Sequence, residues 1–359
     1  QEIFSRPDSL RTKDSELTYR LTQFSGDFAN AAIKGDLQSM VKFGGGREVI
    51  GSVPDRPDDN RIKLDDTSHS LFVQKALEHQ LKLVLITEDG KFLVGVDKEE
   101  DAEAIAAVDP IDNSGEHEAG LDTPPYIVFT FFDKNVGADG KYKPLVGGIC
   151  DFLRERLLFY SEGKNRLFQY VDRKDDEERI IGWDIEEREI KQKAPKKITD
   201  PGFVSVTYMG SNLYSLPFID NFRKLIEEMH PKGRFHGKGG SHAPLLLVTG
   251  ADLYVMVDDI RTENSPGYVM AKAAGFGVWV YDLNGNVTDY EFDPKIEDSE
   301  RRLHILIMAR DEATRDGIIK YWEETQRENE LQKSRKAFAD SNPEAFELFR
   351  SSQAQPSTN

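Results

Sequence analysis

The chain has 359 residues, of which 47 are basic and 64 acidic, giving a formal charge of -17. That length supports one large or two smaller domains with a substantial core, and the negative balance argues against nucleic acid or an anionic membrane surface as the main partner. It suits a soluble protein that holds cations. The single cysteine, Cys150, excludes an internal disulfide and any cysteine-rich zinc or iron-sulfur site, which makes a reducing compartment the simpler home.

The first residues, "QEIFSRPDSLRTKD", contain no apolar signal core, and the longest apolar run, "APLLLVTGADLYVMV", is interrupted by Asp252. Neither a signal peptide nor a membrane span is expected. A cytoplasmic location follows as the expectation. An organelle is left open, because the chain begins with Gln and an address could have been removed before it.

Further along, "DDTSHSLFVQKALEHQ" predicts a helix after a Thr/Ser start, with Leu71, Phe72, Ala76 and Leu77 on one face. "LKLVLITEDG" predicts a strand ending in acids, and "FLVGVD" and "AIAAVD" two more. "FGGGREVIG" near Gly44 reads as a flexible connection, with a phosphate contact as the rival. "YIVFTFFDK" reads as a strand, "LVGGICDFLRERLLFYSEG" as a hairpin, and the charge run from Asp172 to Lys191 as a solvated face with one or two exposed strands.

From about Pro201 the pattern becomes an alternation of strand and helix through "FVSVTYMGS", "YSLPFIDNFRKLIEEMH", "HAPLLLVTGADLYVMV", "SPGYVMAKAAGFGVWVYDLNGN" and "LHILIMA". Ile319, Trp322, Leu331 and Phe338 predict a docking helix and an extension, and "SSQAQPSTN" a disordered tail. The expected architecture is an α+β front half (1–199), an α/β back half (200–325) and a helical extension with the tail (326–359).

Acids recur where apolar strands end or helices start: Asp65, Glu88, Asp109, Asp112, and Glu263 just ahead of a helix whose first turn holds Pro266. Several carboxylates in one small space require cations, and an oxygen-rich set with few His or Cys matches magnesium or manganese. In "VDPIDNSG", Pro110 fixes the chain as it leaves the strand, so that Asp109, the Ile111 carbonyl and Asp112 can turn toward one point. Asn113, Ser114 and Gly115 would then open a turn or helix whose free N–H groups suit a phosphate. Each piece alone reads equally as a surface turn or a helix N-cap.

Together these blocks resemble the fructose-1,6-bisphosphatase and inositol monophosphatase superfamily of magnesium-dependent, often lithium-sensitive phosphomonoesterases. "KLDDTSHSLFVQKALEHQLKLVLITED" resembles the segment from the water-activating Asp to the metal-binding acidic pair, and "VDPIDNSG" the metal loop. "ENSPGYVMAKAAG" resembles the fructose bisphosphatase helix segment, and "GADLYVMVDDIRTE" the inositol phosphatase run into the last metal-binding acid. The separations, 23 residues from Asp65 to Glu88 and 21 from Glu88 to Asp109, match the family.

The resemblance implies a layered αβαβα sugar-phosphatase fold and two or three Mg2+ ions, or Mn2+, held by Glu88, Asp109, the Ile111 carbonyl, Asp112 and Glu263. Asp65 and Ser114 would orient and deprotonate the attacking water, and the N–H groups of Asn113, Ser114 and Gly115 would grip the phosphoryl oxygens. Lys238, Ser241 and His242 in "GRFHGKGGSH" are candidate substrate contacts. That segment is not a P-loop, since Gly rather than Ser or Thr follows Lys238.

The expected function is hydrolysis of a small sugar or polyol phosphate, with a homodimer expected by analogy. A non-catalytic relative that binds a phosphorylated metabolite, or a 3'-phosphoadenosine nucleotidase, stands as the alternative. Asn113 replaces the usual Gly of the metal loop, and Met256 stands where inositol monophosphatases carry an acid for a substrate hydroxyl. Glu116, His117 and Glu118 follow in an unusually acidic loop.

Overall fold

The computed structural model describes residues 13–53, 56–112, 117–118, 125–190, 194, 196–198, 200–209, 234–237, 242–257, 264–282, 285–294 and 305–324. Its first element is a helix missing from the sequence-based expectations. Leu17, Leu21, Phe24 and Phe28 are spaced by four, three and four residues, and they set the buried stripe of α1 (Lys13–Lys34). A short α2 (Asp36–Lys42) and a hairpin of β1 (Val49–Val53) and β2 (Arg56–Ile62) lead into α3 (Lys63–Glu78).

The glycine-rich segment before β1 is anchored. The Leu64 N–H donates to the Gly46 carbonyl at 3.0 Å and the Gly45 N–H to the Met40 carbonyl at 2.7 Å. Gly46 has φ +74, and a Cβ there would lie 2.7 Å from Met40 and 3.0 Å from Leu64. The expected flexible connection is thus a tight seat for the start of α3.

One large sheet follows, in the order β10-β9-β8-β7-β6-β5-β3-β4. Its strands are β3 (Leu83–Thr87), β4 (Gly90–Val94), β5 (Ala104–Asp112), β6 (Tyr126–Val136), β7 (Tyr142–Asp151), β8 (Arg156–Ser161), β9 (Lys164–Lys174) and β10 (Ile180–Arg188). Every pairing is antiparallel except β3 with β5. All nine residues of β5 are buried, as a strand covered on both faces requires. The charge run forms the β9–β10 hairpin, laced by exposed pairs such as Lys174–Glu178 at 2.8 Å.

A second sheet has the order β12-β11-β13-β16-β14-β15. It comprises β11 (Val204–Met209), β12 (Arg234–Gly237), β13 (Leu253–Val257), β14 (Gly277–Tyr281), β15 (Val287–Asp289) and β16 (Ile305–Ala309). β11 runs parallel to β12 and β13, and the remaining pairs are antiparallel. Its helices are α4 (His242–Thr249), α5 (Asn264–Ala273) and α6, over residues 312–324.

Three apolar clusters divide this mixed α/β chain. The first lies between α1, α2 and α3 and one face of the large sheet, where Phe24, Phe28, Phe72, Phe129 and Phe131 interlock edge to face. The second joins the opposite face, through Tyr126, Val128 and Ile149, to α4, α5 and residues Tyr254, Met256 and Leu306 of the second sheet. The third packs Ile318, Ile319 and Trp322 of α6 on Trp279 and Ile305.

Several expectations are corrected. α3 begins at Lys63, four residues before the expected Thr start, and Leu77 is 51% exposed while Phe72 and Ala76 are buried. "HAPLLLVTG" is a helix rather than part of a strand, and β13 starts only at Leu253. An apolar run buried on all sides carries no period to tell helix from strand. "YSLPFIDNFRKLIEEMH", Leu331, Phe338 and the tail lie outside the described residues.

Candidate active site

The parallel pairing of β3 with β5 brings the ends of both strands to one edge of the large sheet. Leu83 and Leu85 face the first cluster, while Val84 and Ile86 face the second. Continuing that alternation carries Glu88, in the turn after β3, toward the second cluster.

On β5 the alternation would separate Asp109 from Asp112, since they are three residues apart. The strand avoids this with an irregularity. Asp109 pairs with Val128 and Asp112 with Tyr126, so three steps on β5 match two on β6. Cross-strand partners share a face, and Val128 and Tyr126 both belong to the second cluster. Asp109 and Asp112 therefore emerge on the same side, while Val108 and Ile111 point into the first cluster. The carboxylates are only 7% and 8% exposed. The Asp109 Oδ1 accepts the Ile111 N–H at 3.0 Å, so the side chain takes up a donor at the bulge itself.

Asp65 approaches from α3. It is the third residue of the helix rather than its N-cap, and its Oδ2 accepts the N–H of Ile62 at 2.7 Å. One turn later Ser68 donates its hydroxyl to the Pro110 carbonyl at 2.7 Å, which fixes the start of α3 against the bulge. Asp65 is 2% exposed, and its Oδ1 is buried without a hydrogen bond from the described residues. Burial first, then the charges of Glu88 and Asp89, push its pKa to about 8, against the opposing Ile62 N–H and Arg61.

Asp89 likewise has one buried oxygen without a hydrogen-bond donor among the described residues. Its other oxygen lies 3.3 Å from the Arg61 Nε, and its N–H donates to Thr87 Oγ1 at 3.1 Å. Arg61 also pairs with Asp66.

The raised Asp65 pKa has a sign that can be checked. In metal-free protein the folded state holds a proton between the unfolded value of 3.8 and about 8 that the unfolded chain has released. Its stabilising contribution is full below pH 4 and is lost as pH rises toward 8. Asp65→Asn keeps an acceptor for Ile62 and is expected to melt higher than the parent at pH 8.5 in EDTA. The advantage should shrink to nothing near pH 4, as followed by circular dichroism. A melting difference independent of pH would show that Asp65 does not titrate in this range.

Among the described residues no three His, Cys, Asp or Glu side chains close into a metal-binding group. The expected set is incomplete there, because Glu263 lies outside the described residues, as do Asn113, Ser114, Gly115, Lys238 and Ser241. His242 opens α4, but its side chain is not among those described. The first turn of α5, which follows Glu263 in sequence, meets the large sheet at Gly147, where a Cβ would stand 3.6 Å from Pro266 Cβ. Met256 is fully buried in the second cluster, a packing role.

The residues present fit a hard divalent cation in the chemistry of their donors. They offer carboxylate oxygens, of which Asp65 Oδ1 and Asp89 Oδ1 are buried without a hydrogen-bond donor among the described residues, and Arg61 is seated beside Asp89.

Sequence reasoning passed over several supports. Arg61 and Ser68 flank Asp65, and Ser68 was legible as a polar residue at i+3 on a buried helical stripe. His117 is 4% exposed with Nε2 3.0 Å from the Gly45 carbonyl, and the Asn60 amide donates to the Glu118 carboxylate at 3.0 and 3.1 Å. These two residues of the acidic segment tie the chain after the bulge to the glycine seat and to β2.

No protein-family model and no curated protein matches the chain. Solved structures do. An IMPase from Thermotoga maritima aligns with a TM-score of 0.55 at 16% identity, over 85% of this chain and 98% of its own. The extragenic suppressor protein SuhB from Bartonella henselae gives 0.55 at 14%, over 86% and 98%. SaIMPase-II with inositol monophosphate bound gives 0.52 at 14%, over 89% and 99%. The chain has the fold of the inositol monophosphatases. At the level of the fold, the resemblance to their superfamily read from the sequence is borne out.

Proposed function

We propose that this protein is a phosphomonoesterase that uses magnesium to hydrolyse a small sugar or polyol phosphate. The observation that supports the reading is the bulge in β5, which turns Asp109 and Asp112 to one face, together with the Asp65–Glu88 interaction between α3 and the turn after β3. We also place the layered αβαβα arrangement, the boundary near residue 199 and a homodimer within this proposal. The fold likeness to inositol monophosphatases supports it.

In this reading Glu88, Asp109, the Ile111 carbonyl, Asp112 and Glu263 hold the ions. Bound magnesium would acidify a water and offset charge on the phosphoryl and leaving oxygens. Asp65, whose Oδ1 has no donor among the described residues, accepts the proton of the attacking water when ionised, and Ser114 orients that water. The N–H groups of Asn113, Ser114 and Gly115 bind the phosphoryl oxygens. Ser68 holds the bulge in register with the base. Lys238, Ser241 and His242 contact the substrate body.

A second reading has one feature of its own. Asn113 stands where the metal loop usually has Gly, and a side chain at that position would reduce room for a phosphate, as in a relative that binds without turnover. A 3'-phosphoadenosine nucleotidase is a third; one solved neighbour, SaIMPase-II, was captured with 2'AMP.

The test is phosphate release from fructose 1,6-bisphosphate, inositol 1-phosphate and adenosine 3',5'-bisphosphate, with magnesium, with EDTA and with added lithium. Release that needs magnesium and falls with lithium is expected from at least one of them. Tight magnesium binding with no release from any substrate, in both the parent and Asn113→Gly, would favour the binding-only relative.

A further inference from the structure

At the far end of the large sheet a cavity of about 420 Å³ opens between the β6–β7 turn, the β8–β9 turn and the C-terminal half of α5. β6 separates it from the acidic site. Tyr126, which pairs with Asp112, begins that strand, and Gly137 of the cavity follows its last residue, so eleven residues span roughly 30 Å.

The cavity has the opposite electrostatic character to the site above. Lys141, Lys143 and Lys272 line it, against Asp139 and Glu291, in a protein whose total charge is -17. Two of these lysines converge on one oxygen. Glu291 Oε1 lies 2.9 Å from Lys141 Nζ and 3.3 Å from Lys272 Nζ, so the two ammonium groups stand no more than about 6 Å apart. The lining holds three lysines against two carboxylates, with Asp289 also acting on Lys141, and each ammonium group carries three donors. The Lys272 ammonium is also held 5.5 Å above the Tyr268 ring, which itself packs edge to face on Tyr290. Both ammonium groups are thus drawn to one point by Glu291.

The walls are aromatic. Tyr142, Tyr160 and Tyr268 line the cavity together with Pro144. Cavities of this size, apolar in their walls with a few converging polar groups, hold small ligands.

We propose that this cavity binds a small organic anion that combines a dianionic head, such as a phosphate or phosphonate, with a flat ring. The head replaces Glu291 between Lys141 and Lys272, and the ring lies against the tyrosine walls. Glu291 acts as an internal placeholder whose carboxylate competes with the ligand.

Phenylphosphonate, which carries both features and cannot be hydrolysed at its phosphorus–carbon bond by a phosphomonoesterase, is the probe. Titration by calorimetry into the full chain in EDTA is expected to show submillimolar binding. Methylphosphonate, lacking the ring, should bind more weakly. Lys141→Gln and Lys272→Gln, both on solvent-reaching side chains, should each weaken phenylphosphonate about tenfold. Glu291→Gln should tighten it severalfold, a gain that damage to the fold would not produce. Asp112→Asn should leave it unchanged.

The proposal is overturned by absence of binding to the parent, by indifference to both lysine variants, or by weaker binding in Glu291→Gln. Loss in Asp112→Asn would also overturn it, by placing the ligand at the acidic site. Since EDTA silences any magnesium-dependent hydrolysis, this outcome and that of the phosphatase assay are read independently.

Discussion

Asp112→Asn is expected to lower magnesium-dependent phosphate release by about 10³-fold or more, while metal-free protein melts no lower than the parent. The two halves of this expectation share a cause. Asp112 is 8% exposed on the same face as Asp109, so two carboxylates share a buried side where burial and mutual repulsion both disfavour charge. Removing the charge relieves that cost in metal-free protein and, on the proposed function, removes one of the carboxylates assigned to the metal. Asp109→Asn should behave alike in the assay, since an amide oxygen can still accept the Ile111 N–H that Asp109 Oδ1 takes at 3.0 Å. Initial rates across a magnesium titration provide the measurement. Rates within tenfold of the parent at saturating magnesium would remove both carboxylates from the metal set.

The largest expected stability effect lies away from the site, in the middle of the large sheet. Gly148 pairs with Phe129, whose ring folds over it; a Cβ on Gly148 would sit 2.2 Å from Phe129 Cζ. The ring has little room to yield. Its centroid lies 5.8 Å from that of Phe28, 5.9 Å from Phe131 and 6.5 Å from Phe72, all buried. Gly148→Ala is therefore expected to destabilise by about 3 kcal/mol, the upper part of the range for overpacking a filled core. Gly51→Ala is the control, because nothing stands within 4 Å of the added methyl. It should move stability by less than about 0.5 kcal/mol. Equal losses in the two variants, measured by denaturant unfolding, would show that Phe129 can swing aside.

Strands β3, β5, β6 and β7 were legible because apolar runs of strand length end at acids, glycines or charged turns. α1 carries the same kind of signal in Leu17, Leu21, Phe24 and Phe28, diluted by the polar residues between them. α4 was not legible, since "HAPLLLVTG" is apolar around its whole circumference.

In the site, the carboxylates declared themselves as charges at the ends of buried strands. Their supports did not. Ser68 meets Pro110 across 42 positions of sequence, and His117 meets Gly45 across 72. Contacts of that range depend on how α3 and the glycine seat dock on the sheet, which no local pattern encodes. The bulge was hidden for another reason. The motif Asp-Pro-Ile-Asp suggested a turn away from the sheet, whereas the strand continues to Asp112 and absorbs the extra residue in its ladder.

That extra residue gives the strand a parity rule. A regular strand assigns odd and even positions to opposite sides, so acids three apart differ in parity and would face different worlds. The irregularity between Asp109 and Asp112 adds one count and restores agreement. An inserted or deleted residue that left the irregularity in place would reverse the agreement and turn one carboxylate toward Phe28, Phe72 and Phe129. No cation can enter that aromatic cluster without breaking it. The length of this four-residue motif is therefore constrained by the sheet as strictly as its composition is by chemistry, and variation is tolerable only where the count is kept.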